Sequence, residues 1–233
     1  MQKDKIHILS TRPLPAGLTE EARQLGIWID ETSFIETEPI RSVEVQQEIE
    51  QALIKFTAVV FTSMNAVEAV TEELDGALPE WKIFCIGNTT REVVEKYFGE
   101  NTIAGTADNA LALAEEIIQN EEIDEVTFFC GDQRRDELPD ALRQNDIEVI
   151  EVVVYNTIPI PQKIEKNYHG ILFFSPSAVE SFFKKNKIPD QTYLFAIGNT
   201  TAATIKKYTT NKIIIAKEPG KENLVRQMME YYS

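Results

Sequence analysis

Residues 84–97 read FCIGNTTREVVEKY and residues 195–208 read FAIGNTTAATIKKY. Eight of the fourteen positions are identical, including the unbroken pentapeptides Ile86-Gly87-Asn88-Thr89-Thr90 and Ile197-Gly198-Asn199-Thr200-Thr201. Upstream, Ser63-Met64-Asn65-Ala66-Val67-Glu68 is echoed by Ser175-Pro176-Ser177-Ala178-Val179-Glu180. The two pairs are offset by 111 and 112 residues, so order and spacing survive with a one-residue adjustment. That period is too long for a solenoid repeat and suits a small domain. The chain is therefore expected to be a duplicated unit, two domains within 233 residues.

Each copy alternates short apolar strands with single amphipathic helices. In the first copy strands are expected at 6–10, 27–35, 58–61, 82–86 and 101–104, and helices at 19–25, 41–56, from 65, 89–98 and 108–119. In the second, strands fall at 126–130, 147–154, 170–174, 193–197 and 212–216, and helices at 135–144, 177–186, 200–208 and 221–232. Fully apolar strands such as Ala58-Val59-Val60-Phe61 fit parallel sheets covered on both faces. Five strands per copy suggests, by analogy, a flavodoxin-like order. Thr37-Glu38-Pro39-Ile40 and Thr157-Ile158-Pro159-Ile160 share a T-x-P-I pattern after the second strand of each copy, which suggests that the chain crosses between lobes twice.

Composition removes several classes of function. No apolar run reaches the ~18 residues of a bilayer span, and residues 1–13 do not read as a signal peptide. A formal net charge of −15 argues against nucleic acid and anionic membranes. Two cysteines and two histidines do not make a zinc site, and Cys85 and Cys130 read as buried free thiols of a reducing cytosol. There is no GxxxxGK[ST], and no GxGxxG after a strand. Thr62-Ser63 and Ser175 stand where a receiver domain would carry its phosphorylated Asp. His7 and His169 fit no Ser/His/Asp set.

In parallel sheets ligands collect beyond the carboxyl ends of the strands, where helix N-termini point. The repeated blocks fall there: Thr62 and Ser63, Gly87 and Thr90, Ser175, Ser177 and Ala178, and Gly198, Thr200 and Thr201. Hydroxyls and unpaired N–H groups at such places suit carboxylates or phosphates. Ordinary helix capping is the better account of any one block; four paired blocks favour one anion-rich cleft between two lobes. Arg12 after the first strand, and Arg134-Arg135 after the matching strand of the second copy, could hold carboxylates, although Arg135 also reads as a solvated first-turn residue. Tyr155 closes the strand Val152-Val153-Val154, with its hydroxyl expected at a cleft mouth.

These residues together resemble the uroporphyrinogen-III synthase family over essentially the whole chain. The matching segments are Thr62-Ser63-Met64-Asn65-Ala66-Val67, Gly87-Asn88-Thr89-Thr90, Val154-Tyr155-Asn156-Thr157, Ser175-Pro176-Ser177-Ala178-Val179 and Gly198-Asn199-Thr200-Thr201, with Gly131, Arg135, Leu138 and Leu142 at a helix entry. Asn199 departs from the proline that many members carry. The resemblance implies an α/β fold of two flavodoxin-like parallel-sheet lobes joined by a two-stranded linker. Lobe 1 would comprise 1–36 plus 159–233 and lobe 2 residues 40–154, with linkers at 37–39 and 155–158. It implies cyclisation of hydroxymethylbilane to uroporphyrinogen III, with loss of water and inversion of ring D through a spiro intermediate. No cofactor or metal is implied. The substrate would come by transient handover from hydroxymethylbilane synthase to a cytoplasmic monomer. Tyr155 is the expected proton donor, since a phenol with a reference pKa of about 10 stays protonated at neutral pH. The substrate's eight carboxylates sit uneasily with a net charge of −15, so local donors, Arg12 among them, must offset the unfavourable field. The alternative is a non-catalytic bilobed carboxylate-binding or sensor protein, in which Tyr155 has no role.

Overall fold

The computed structural model describes residues 5–55, 57–218 and 220–233. The chain is α/β with parallel-dominated sheets, and it divides into two compact units: Met1–Glu36 with Ile158–Ser233 (unit 1), and Thr37–Thr157 (unit 2).

Unit 1 begins with β1 (Ile6–Ser10), α1 (Ala16–Gln24) and β2 (Ile27–Glu31). β3 (Ile35–Pro39) then leads into unit 2: α2 (Val43–Ile54), β4 (Ala58–Phe61), α3 (Met64–Leu74), β5 (Lys82–Ile86), α4 (Gly87–Phe98), β6 (Ile103–Ala107), α5 (Ala110–Ile118), β7 (Glu125–Gly131), α6 (Glu137–Arg143) and β8 (Glu148–Pro159). Unit 1 resumes with β9 (Gly170–Phe173), α7 (Pro176–Phe183), β10 (Tyr193–Ala196), α8 (Asn199–Ile205), β11 (Ile213–Ile215) and α9 (Lys221–Tyr232). The unit 1 sheet has the order β11-β10-β9-β1-β2, and the unit 2 sheet β3-β8-β7-β4-β5-β6. The neighbouring strands among β1, β2 and β9–β11, and among β4–β7, pair in parallel. β3 runs antiparallel to β8, because Ile40 N–H meets the Val154 carbonyl while Ile160 N–H meets that of Phe34.

The central strands β4 and β9 are buried at every residue, as expected where helices cover both faces. Alternation along each strand feeds two cores per unit. In unit 1, Ile8, Leu172 and Phe195 pack against Leu18, Leu224 and Met228, while Leu9, Phe173 and Leu194 pack against Val179 and Phe182. In unit 2, Val59, Phe61 and Phe129 meet Val67 and Val70, while Val60 and Phe128 meet Leu113, Ile117 and Leu142. Cys85 and Cys130 belong to these cores, and burial pushes their thiols up to about 11 and about 12. They therefore stay protonated and unreactive at neutral pH.

Several boundaries differ from expectation for physical reasons. The single strand expected at 27–35 is two, since the chain leaves the unit 1 sheet after Glu31 and joins the other sheet at Ile35. The strand expected to end at 154 runs on to Pro159, so Tyr155 lies inside β8. α1 starts at Ala16, three residues earlier than expected; Pro15 is its N-cap, a place that needs no amide hydrogen. α2 stops at Ile54, and Phe56, the last residue of the expected 41–56 helix, lies outside the described residues.

One core atom is poorly placed. The Ser181 hydroxyl on α7 is fully buried and has no hydrogen-bond partner among the described residues. Ser181→Ala should therefore raise stability by about 1 kcal/mol, through relief of an unsatisfied polar group and better helix propensity. Denaturant unfolding of the two proteins checks this, and a loss of stability would show that the hydroxyl is satisfied in solution.

Candidate active site

In unit 2 the parallel register brings the ends of four strands to one edge. Phe61 of β4 sits beside Cys85 of β5 and Phe129 of β7, and Gly131 beside Tyr155 of β8. Ser63 caps α3 by accepting from the Asn65 N–H at 3.2 Å. The Tyr155 hydroxyl donates to the same Ser63 oxygen at 3.1 Å. With two donors pointing at it, the Ser63 oxygen keeps its own hydrogen free to donate elsewhere. Tyr155 is half-buried, and burial is the main cause that raises its pKa above the usual 10; hydrogen bonding to Ser63 and Asn65 works the other way. The arrangement is a neutral phenol coupled to a hydroxyl, able to give a proton and poorly suited to take one.

Gly131 makes this possible. A Cβ there would stand 2.6 Å from both Cε2 and Oη of Tyr155, so the ring lies directly on the glycine. A register shift between Cys130 and Gly131 sets the pairing, and the Tyr155 carbonyl accepts from Asp132 N–H at 3.1 Å. Thr62 is half-buried next to Ser63, and Thr90 is buried in the first turn of α4.

In unit 1 the edge carries the second copies. Ser175 caps α7, accepting from Ala178 N–H at 3.1 Å, with its hydroxyl 3.1 Å from that of Ser177; Ala178 itself is buried. Gly198 caps α8, Thr200 is exposed and Thr201 buried. The identical pentapeptides start their helices differently. Gly87 is the first residue of α4 with φ +68°, a conformation that favours glycine, whereas Gly198 precedes α8 in extended backbone at φ −175°. A Cβ at either glycine would meet open space.

The arginines separate cleanly. Arg134 pairs with Asp136 and Glu151, and exposed Arg135 lies 4.0 Å from Glu137. Neither offers a charge to spare. Arg12 has no carboxylate partner among the described residues, and its guanidinium lies over the Phe174 ring, 5.9 Å from the centroid.

The family model described as HEM4, uroporphyrinogen-III synthase HemD, matches residues 16–226. The chain belongs to the uroporphyrinogen-III synthase family. Membership makes it an enzyme of porphyrin biosynthesis. It is 23% identical over 201 residues to the uroporphyrinogen-III synthase of Saccharomyces cerevisiae, covering 72% of this chain and 73% of the yeast protein. The structure of uroporphyrinogen-III synthetase from Helicobacter pylori aligns over 97% of this chain and 99% of its own, with a TM-score of 0.67 at 18% identity. A mutant uroporphyrinogen III synthase from Thermus thermophilus aligns over 97% and 98%, with a TM-score of 0.61 at 13% identity. These structures share the fold. The sequence pattern connects Gly131 to a helix entry, whereas the structure sets it against the Tyr155 ring. No helix among the described residues is long and apolar enough to cross a membrane.

Proposed function

We propose that this synthase closes hydroxymethylbilane to uroporphyrinogen III, with loss of water and inversion of ring D through a spiro intermediate, and that Tyr155 is its proton donor. The observation that carries the reading is the half-buried, neutral Tyr155 side chain, its hydroxyl hydrogen-bonded to Ser63 at the carboxyl edge of the unit 2 sheet. Departure of hydroxide from the hydroxymethyl carbon needs a proton in the transition state, and a positioned neutral acid supplies it directly or through the Ser63 hydroxyl. The substrate closes unaided without inversion, so the protein must favour the geometry of spiro attack over direct closure by differential binding and orientation.

Arg12, Thr62, Ser63, Gly87, Thr90, Ser175, Ser177, Ala178, Gly198, Thr200 and Thr201 are proposed to bind substrate carboxylates through side chains and helix-start N–H groups. The reading treats the units as two flavodoxin-like lobes from an internal duplication, 1–36 with 159–233 and 40–154, joined by a two-stranded linker at 37–39 and 155–158. Its support is that the unit 1 sheet follows the 2-1-3-4-5 order, β2-β1-β9-β10-β11, and that the unit 2 sheet has a circularly permuted form of it, β8-β7-β4-β5-β6, with β7 and β8 after β4–β6 in the chain. A cytoplasmic monomer that receives its substrate by transient handover from hydroxymethylbilane synthase completes the proposal.

The test incubates purified protein with fresh hydroxymethylbilane and resolves the isomers by chromatography. Type III product in excess of an enzyme-free control supports the reading. Type I alone from folded protein overturns it in favour of a carboxylate-binding role.

A further inference from the structure

Tyr155 reaches Ser63 because β8 breaks its own alternation. Val152 and Val154 face the core shared with α3, and Val153 faces the core shared with α5 and α6. Strict period-2 alternation would send Tyr155 to the side of Val153, away from Ser63. Instead Tyr155 packs against the same core as Val154. The register explains this: Cys130 sits beside Val153 but Gly131 beside Tyr155, so β8 carries one extra residue there. A bulge of this kind re-aims the side chain next to it.

On the β7 side the paired register ends at Gly131 and Tyr155, because the chain turns out of the sheet. The Gly131 carbonyl accepts from Arg134 N–H at 3.1 Å and closes that turn. Asp132, exposed, is the first residue past β7. Its N–H donates to the Tyr155 carbonyl at 3.1 Å, and its Oδ1 accepts from Thr157 N–H at 2.8 Å. One residue of a parallel ladder engages two partners spaced in this way through its own N–H and C=O. At Asp132 the carboxylate stands in for the carbonyl, and it carries the pairing past the bulge while the main chain departs. Three neighbours thus share the seating of the phenol. Gly131 leaves room for the ring, Ser63 accepts from its hydroxyl, and Asp132 holds the strand on both sides of Asn156.

We infer that Asp132 is a positioning residue for Tyr155, whose carboxylate locks the bulged end of β8 and so sets the direction of the phenol. This rests on the proton-donor reading above and adds a residue that acts without touching substrate. The role belongs to the acceptor oxygen and not to the negative charge, so an amide should serve in its place.

The test compares Asp132→Ala with Asp132→Asn, which keeps an acceptor oxygen at the same place, each alone and combined with Tyr155→Phe. Four quantities are measured. They are kcat and KM for hydroxymethylbilane, affinity for the octacarboxylate uroporphyrin III by fluorescence titration, Tm, and the alkaline titration of Tyr155. The last is followed by NMR of protein carrying 13Cζ-tyrosine, with Tyr155→Phe identifying the resonance. Asp132→Ala should lower kcat about 10-fold, with KM and uroporphyrin affinity changed less than about twofold. Asp132→Asn should recover kcat to within about twofold of the wild type. In the Tyr155→Phe background Asp132→Ala should lose little further kcat. Tyr155 should titrate lower in Asp132→Ala than in Asp132→Asn, because both lack the charge and only the alanine variant frees the ring from the burial that raises its pKa. Tm should fall by only ~2–4 °C in Asp132→Ala, as for loss of one exposed hydrogen bond. If Asp132→Ala does not fold, Asp132→Leu, of similar branched shape but without an acceptor, carries the comparison.

Full kcat in Asp132→Ala, or equal losses in the alanine and asparagine variants, overturns the inference. A loss that multiplies fully with that of Tyr155→Phe does the same. If Tyr155→Phe itself keeps full kcat, the proton-donor reading fails instead. The NMR titration then still decides whether Asp132 seats the phenol, and equal titration of Tyr155 in the two Asp132 variants denies it.

Discussion

Tyr155→Phe should lower kcat for type III product about 100-fold, at the lower end of the range for loss of a positioned general acid, while the protein folds normally. The substitution removes one oxygen from a half-buried ring and one 3.1 Å hydrogen bond to Ser63, and leaves packing against the unit 2 core in place. Uroporphyrin affinity should stay within about twofold, because Ser63, the proposed carboxylate donor that the phenol touches, keeps its cap on the Asn65 N–H when the phenol oxygen is removed. Slowed catalysis also lets unaided closure compete, so the share of type I isomer should rise. The pH profile gives an independent sign. Burial raises the Tyr155 pKa above 10, so the donor form is full through neutral and mildly alkaline pH and is lost only as pH rises through that raised value. A wild-type kcat that falls on the alkaline side with a midpoint near 8 would assign the proton to another group. Retention of full kcat in the Phe variant would do the same.

Gly131→Ala should reach a comparable loss by a different route. The added methyl would stand 2.6 Å from the Tyr155 hydroxyl oxygen and Cε2, far inside van der Waals contact. The Tyr155 backbone is pinned in β8, with its carbonyl held by Asp132 N–H, so the ring must swing and the Ser63 hydrogen bond must break. Overpacking of this kind costs about 1–3 kcal/mol of stability, and activity should fall far more than Tm suggests. The double variant decides the mechanism. If Gly131 acts only by seating the phenol, Gly131→Ala loses little further kcat in a Tyr155→Phe background; fully multiplicative losses would give the glycine a separate role.

The repeated blocks and the apolar strands were enough to read the α/β class and most elements. What escaped depends on neighbours distant in the chain. Arg12 and Arg134 look alike in sequence, each just past a strand; Glu151 on β8 takes up Arg134, and among the described residues no carboxylate takes up Arg12, which lies over the Phe174 ring. Identical IGNTT segments start α4 and α8 at different residues, because local sequence sets the propensity for a turn but surroundings choose the φ of its glycine. The net charge of −15 is uneven along the chain, a formal +3 in unit 1 (15 Lys and Arg against 12 Asp and Glu) and −18 in unit 2 (8 against 26).

The antiparallel ribbon of β3 and β8 also bears on synthesis. Unit 2 is one continuous insertion between two halves of unit 1, and on a ribosome it is complete before β9 exists. β1 and β2 must wait, since β1 pairs on its inner side with β9, Ile8 beside Gly170. Joining partners so far apart would ordinarily carry a large loop-closure entropy. Once the insertion has folded, the ribbon holds its entry and exit side by side, so the loop that remains to be closed is short. Early folding of the insertion thus turns a slow, high-contact-order sheet into a nearly local one.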